Sequence, residues 1–321
     1  MIKKKITFLN KKYQLSQSED EKTPDTALTP HSIKEQLQSD DSDTGTPSKM
    51  ALTPLKMSKF KIQHEKSKSS FAHGGRALVN RRDIFAEHPF RQLIFGQRTT
   101  QETLLKHIEQ TKRGVTYAAK SLKPPSEKFL QQKQVDIPLK DKEKKILILD
   151  LDETLIHSCT SKEKSQVQLK TEDGQLLRFN VRPYLAYFLD CLSTFYQIFI
   201  FTASSPSYAL ALVDYIDPLE DKILGIFTRN HCLETKNGYF IKDLRILRDV
   251  DLKNIIIVDN LTHSFGFQLE NGIPILEWTD DEKDQELKYL VDYLIEASQY
   301  DDVREFNREK LKLHDLIDYI F

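Results

Sequence analysis

The sequence predicts an α/β protein in which a parallel sheet, covered by helices on both faces, follows a disordered N-terminal arm. Three observations carry this expectation. Short continuous apolar runs, "KILILD", "YQIFIFTAS" and "NIIIVDN", recur through the second half of the chain. Helical patterns separate them, and residues 14 to about 80 hold few large apolar side chains. A strand buried on both faces reads as an unbroken apolar run, whereas a strand with one wet face alternates.

Composition bounds the rest. The 321 residues are 39% hydrophobic and 30% charged, which suits a soluble protein of one large or two modest domains. A formal charge of −1 hides an asymmetry: residues 1–140 carry 26 basic and 15 acidic groups, a balance of +11, against −12 in the remainder. A basic arm on an acidic body implies separate jobs, or an arm that folds back. Cys159, Cys191 and Cys232 have no metal-site spacing and read as buried structural thiols in a reducing compartment. No apolar run reaches the roughly 20 residues of a membrane span. The start, "MIKKKITFLNKKYQL", lacks the apolar core of a secretory signal. It also lacks arginine, which disfavours a mitochondrial address.

The elements follow in order. Residues 1–82 form the arm, too polar to offset its chain entropy by burial. Its Thr-Pro pairs at Thr23, Thr29, Thr46 and Thr53 fit either a loose linker or sites for a proline-directed kinase. Lys56 to Arg82 is basic, a solvated tail or a nuclear signal. Residues 83–138 read as a short helical and apolar lead-in. In "TTQETLLKHIEQTKRG" a threonine caps the helical pattern and Gly114 stops it, and no function is visible there. From residue 139 strands and helices alternate. "KILILD" is a buried strand, and "QVQLKTEDGQLLRFNV" a hairpin turning at Asp173-Gly174. "RPYLAYFLDCLSTF" is an amphipathic helix. "YQIFIFTAS" is a second strand, and Ser205-Pro206 starts the helix "SYALALVDYI". "RNHCLETKNGYFIKDL" turns at Asn237-Gly238, "NIIIVDN" is a third strand, and late helices follow from Glu282.

The three strands end in Asp150, Thr202 and Asp259-Asn260, and open parallel sheets bind ligands outside the carboxyl ends of their strands. Clustered carboxylates repel one another unless something positive sits among them. Asp150 and Asp152, two apart, can face the same side. With Asn260 they supply enough oxygen for Mg²⁺, which takes few protein ligands and clamps phosphoryl groups. One carboxylate can then attack phosphorus while its neighbour moves protons, and Lys242 can neutralise remaining charge. A bare D-x-D-x-T arises by composition in roughly one chain in ten of this length. The buried strand before it and the second strand ending in Asp-Asn make the combination specific. The blander alternative is that Asp152 and Thr154 cap a helix and Asp259 ends a strand.

"LDLDETLIHS", "RPYLAYFL", "FTASSPSYALALVDYID", "GYFIKDLRIL" and "IIIVDN" together resemble, in order, the motifs of the C-terminal-domain (CTD) small phosphatases. These belong to the haloacid dehalogenase superfamily, and the resemblance covers about Leu139 to Leu316. It implies a haloacid-dehalogenase-like parallel sheet with β-hairpin insertions over residues 139–321. It implies a Mg²⁺-dependent serine/threonine phosphatase working through an aspartyl phosphate, with phosphoproteins such as the RNA polymerase II tail as partners. By position, Asp150 is the implied nucleophile and Asp152 the acid/base, its carbonyl on the metal. Thr154 supports the loop, Thr202 and Lys242 hold phosphoryl oxygens, and Asn260 is a Mg²⁺ ligand with Asp150. Asp259 is oriented towards Lys242 or the metal's waters. Arg229 matches a substrate-facing arginine, though a solvated edge charge fits it as well. The resemblance further implies a nuclear or cytoplasmic protein without direct nucleic-acid contacts.

Three departures from those motifs stand out. Asp-Asn continues as "DNLTHS" where the family has Ser-Pro, "RILRDVDLKN" lacks a glycine before "RD", and the hairpin Arg229–Lys242 is one residue longer. None removes a catalytic group; all lie near the mouth of the site. The alternative is a non-catalytic receptor or scaffold of the mitochondrial import type, which would need a membrane helix and a presequence but no complete set of acids, lysine and asparagine.

Overall fold

A computed structural model describes residues 88–171 and 174–320. The arm, its four Thr-Pro pairs, the basic segment to Arg82 and Asp173 lie outside the described residues. Five parallel strands form the central sheet in the order β10-β9-β1-β5-β6. They are β1 (Lys145–Leu149), β5 (Tyr196–Phe201), β6 (Ile223–Phe227), β9 (Ile255–Asp259) and β10 (Gly272–Pro274). Every residue of β5, β6 and β9 is buried, so both faces of the sheet are covered, as the unbroken apolar runs require. This is the parallel, helix-flanked architecture expected of a haloacid-dehalogenase-like fold. The runs "ILGIF" and "GIP", unassigned from sequence, supply the two edge strands.

Two antiparallel insertions sit beside this sheet. β2 (Ile156–Ser158), β4 (Leu176–Val181) and β3 (Val167–Lys170) pair in the order β2-β4-β3, with Gly174 at φ +85° in the connecting turn. β7 (Leu233–Glu234) and β8 (Phe240–Ile241) form the second hairpin, where Gly238 takes φ +79°.

Six helices are described. α1 (Gln101–Lys120) is capped by Thr100, whose side chain accepts from Thr103 N at 3.1 Å. It does not stop at Gly114, contrary to the sequence expectation, but runs on to Lys120. A mid-helix glycine costs about 1 kcal/mol relative to alanine, so something must require it here. α2 (Glu127–Lys133) carries a Ser126 cap and had no clear sequence signal. α3 (Leu185–Leu192) starts after Tyr184, which takes φ +67°, and α4 (Pro206–Ile216) starts at proline as expected. α5 (Glu286–Ser298) begins four residues later than the sequence suggested, because Asp284 turns inward to Arg182; α6 (Val303–Leu311) follows. Among the described residues no helix is long and apolar enough to cross a membrane. All three cysteines are free, but only Cys232 is buried; Cys159 and Cys191 are partly exposed.

Candidate active site

β9, β1 and β5 end together because Leu149 is in register with both Val258 and Ile200. The residues that follow are polar. Asp150 therefore emerges between Asp259 on one side and Thr202 on the other. Lys242 enters from the end of β8, with Nζ 2.6 Å from Asp150 Oδ1 and 2.6 Å from Asp259 Oδ2. All three groups are buried. Burial first, and then the Asp259 carboxylate, push Asp150 well above the usual carboxylate range, against the pull of Lys242. Burial lowers the Lys242 ammonium, but Asp150 and Asp259 outweigh it and raise its pKa, so it stays charged.

The "DLDET" segment turns tightly back on itself. Leu151 O accepts from Leu155 N at 2.8 Å and Ile156 N at 3.1 Å, and Glu153 is held at φ +56°. A non-glycine residue in the left-handed region stores strain, which persists only where the surroundings enforce it. Trp278 N bonds Glu153 O at 2.9 Å and helps do so. The turn aims Asp152 at α4. There Asp152 Oδ2 accepts from Ser204 Oγ at 2.7 Å and Oδ1 accepts from Tyr208 OH. Burial, reinforced by the Asp152 carboxylate, raises the Tyr208 phenol and keeps it protonated.

Thr154, fully buried, reaches back to Asn260. Its Oγ1 donates to Asn260 Oδ1 at 3.4 Å and accepts from Asn260 N at 3.3 Å, which fixes the direction of that amide. Beneath the loop, Arg182 donates to Thr154 O at 3.0 Å and Leu276 O at 2.9 Å, and grips Asp284 with two bonds of 3.0 Å. Thr202 is buried, and its hydroxyl accepts from Ser204 N at 3.1 Å. Asp259 Oδ2 also accepts from Ser264 Oγ at 2.6 Å, and Oδ1 from Leu261 N at 2.7 Å.

The structure thus gathers Asp150, Asp152, Thr154, Thr202, Lys242, Asp259 and Asn260 at one end of the sheet. Arg229 is exposed at the rim and joins no carboxylate there. Its Nε donates to Ala203 O at 2.6 Å and its guanidinium lies 5.1 Å from the centre of the Phe240 ring. Ser204, Tyr208, Ser264, Arg182 and Asp284 were not singled out from sequence. The first three are ordinary loop or helix residues by pattern, and only contact reveals them. Arg182 stood inside the quoted "RPYLAYFL", but its partner lies 102 residues away.

Comparison with known proteins identifies the family. Residues 145–304 match the NLI interacting factor-like phosphatase family. CTD small phosphatase-like protein 2 of Dictyostelium discoideum is 41% identical over 177 residues, 53% of this chain and 30% of that protein. CTD small phosphatase-like protein 3 of Caenorhabditis elegans is 38% identical over 54% of this chain and 61% of its own. CTD nuclear envelope phosphatase 1B of Danio rerio is 34% identical over 56% of this chain and 77% of its own. The chain therefore spans less than two thirds of the first two relatives. With the third matched at 34% identity over three quarters of its length, the chain belongs to the NLI interacting factor-like phosphatases.

Proposed function

We propose that this protein is a Mg²⁺-dependent phosphoprotein phosphatase that acts on phosphoserine or phosphothreonine through an aspartyl phosphate on Asp150. The observation that carries the reading is the buried Asp150–Lys242–Asp259 cluster, with Asp152 turned to the same end of the sheet on separate supports. Asp150 attacks phosphorus through a carboxylate oxygen, and the bond to the serine or threonine oxygen breaks. Asp152 gives its proton to that leaving oxygen. Asp152 then takes a proton from water, which attacks the acyl phosphate and frees Asp150 with inorganic phosphate. Ser204 and Tyr208 suit both roles, because a hydroxyl donates to the ionised carboxylate and accepts from the protonated one. Lys242, kept charged by its two carboxylates, and the Thr202 hydroxyl offset charge on the phosphoryl oxygens.

The donor set fits Mg²⁺. Among the described residues no group of three or more His, Cys, Asp or Glu side chains could hold a metal on its own. Mg²⁺ needs no such cage: it keeps several waters and accepts one or two carboxylates with neutral oxygens. Asp150, the Asp152 carbonyl and Asn260 would hold it, and three carboxylates around a single ammonium leave a charge that a divalent cation balances. Bound there, the ion would polarise the phosphoryl group.

The RNA polymerase II C-terminal domain is one candidate substrate among several phosphoproteins, in the nucleus or cytoplasm. The test is hydrolysis of an aryl phosphate and of phosphopeptides, with and without Mg²⁺. Turnover that needs Mg²⁺ and vanishes in Asp150→Asn supports the reading. Absence of turnover in the intact chain overturns it and leaves the non-catalytic alternative.

A further inference from the structure

The family match begins at residue 145, yet α1 lies directly against the site. The reason Gly114 is tolerated in mid-helix is a close approach. A Cβ there would stand 2.7 Å from Thr262 Cβ and 2.9 Å from His263 N, closer than such atoms pack. Three residues on, the Tyr117 ring meets those of Tyr239 at 4.9 Å and His263 at 6.2 Å, and the latter two are 4.5 Å apart. α1 is therefore seated on the turn Thr262–Phe265.

That turn holds the chemistry in place. It starts two residues after Asn260, Ser264 Oγ donates to Asp259 Oδ2 at 2.6 Å, and Ser264 O accepts from Lys242 N at 2.6 Å. Tyr239 lies three residues before Lys242. The turn is thus tied to Asp259 and Lys242 by single hydrogen bonds from Ser264 and to Asn260 by the chain itself.

The segments around the site also meet the lead-in that precedes the family match. "DNLTHS" is the turn under Gly114. "RILRD" pairs with the segment after α2, where Val135 N donates to Ile246 O at 2.8 Å and Arg248 N to Val135 O at 3.0 Å. The longer hairpin carries Tyr239 under Tyr117, and Lys133 Nζ reaches Asn230 O beside Arg229. Two of these segments therefore meet α1, and the third meets the chain just after α2.

We propose that α1, through Gly114 and Tyr117, is a positioning element of the active site, setting the turn that carries Asn260 and holds Asp259 and Lys242. The proposal rests on the phosphatase reading for its kinetic arm and on the Mg²⁺ assignment for its binding arm. Gly114→Ala and Tyr117→Ala are made in the full chain, with Leu294→Ala as a control for lost stability. Leu294 is buried in α5 and bonds Tyr196 at the opposite end of β5 from the site. Two quantities are measured: the Mg²⁺ concentration that half-raises Tm without substrate, and kcat and KM on an aryl phosphate.

In the two α1 variants, positioning predicts an Mg²⁺ midpoint raised about fivefold or more and kcat lowered about tenfold or more, with KM little changed. The control loses Tm alone. Variants of α1 that match the control in Mg²⁺ midpoint and kcat overturn the proposal, whatever their Tm. Tyr117→Ala, which introduces no clash, decides the matter if Gly114→Ala does not fold. A wild-type chain without turnover refutes the phosphatase reading, and the Tm midpoint then decides α1's role. A chain that neither turns over nor responds to Mg²⁺ overturns both.

Discussion

Replacing Arg182 by methionine tests the support beneath the site. The guanidinium is 1% exposed and makes two bonds to Asp284, one to Thr154 O and one to Leu276 O. Methionine fills most of the volume but makes none of these bonds, and Asp284, 8% exposed, is left as a buried charge. Removing one partner of a buried pair costs about 3–5 kcal/mol, chiefly through the charge left behind. For a domain of this size each kcal/mol moves Tm by roughly 2–4 °C, so a fall of about 6–20 °C is expected. Thermal melts by circular dichroism measure it. Arg182→Met with Asp284→Leu should recover part of the loss, because the orphaned charge is gone; the unpaired carbonyls of Thr154 and Leu276 keep recovery incomplete. A single variant melting within about 3 °C of wild type would show that this pair does not anchor the loop. A double variant that loses the full sum of the two single losses would refute the coupling itself.

Three further predictions follow from the site and its surroundings. Asp150→Asn, nearly isosteric, should keep the fold and abolish turnover in single-turnover assays; activity within about tenfold of wild type would exclude covalent catalysis by Asp150. Asn260→Ala should raise the Mg²⁺ requirement because one of few protein ligands is lost, and EDTA should silence the wild type until Mg²⁺ is restored; full activity in chelator would contradict the metal assignment. Glu286 accepts from Phe95 N at 2.8 Å and Gly96 N at 2.7 Å, yet burial pushes its carboxyl from the ordinary 4.5 up to about 7. The folded chain then holds a proton that the unfolded chain has released, so Glu286 makes stability fall as pH rises from about 4.5 to 7, by on the order of 3 kcal/mol. Glu286→Gln should melt with a flatter pH profile over that window, and an equally steep profile would contradict the assignment.

Much of this architecture is visible in sequence because it rests on local signals. Continuous apolar runs announce buried strands, and the acid or threonine that ends each run marks the polar end of the sheet. Proline at the start of α4 and Asn-Gly in the second hairpin are equally local. What sequence hides is long-range. Gly114 reads as a helix stop by every local rule, and only the backbone of Thr262 and His263, far along the chain, makes it an interior residue. Arg182 and Asp284 carry no signal of each other. Ser204 and Tyr208 are unremarkable in composition, and their hydroxyls matter because α4 starts opposite the turn at Asp152. Edge strands β6 and β10 were missed for a different reason: short apolar runs are equally at home in helices and loops.

The register of the sheet explains why an ammonium group fits where Lys242 stands. Leu149 opposite Val258 places Asp150 next to Asp259, and both are buried. Burial and the neighbouring Asp259 carboxylate together push Asp150 well above the usual carboxylate range. Lys242 pulls Asp150 back towards the ionised form without cancelling that rise, and a cation bound to Asp150 would lower it further. Lys242 approaches from outside the central sheet, just after β8, and bonds both carboxylates at 2.6 Å. Ser264 and Leu261 N occupy the remaining directions on Asp259, which keeps that carboxylate from turning away from the lysine. Asp259 thus holds Lys242, and Lys242 faces Asp150. The second hairpin and the turn after Asn260 are for that reason parts of one electrostatic unit, and anything that shifts the turn, α1 included, shifts the charge beside Asp150.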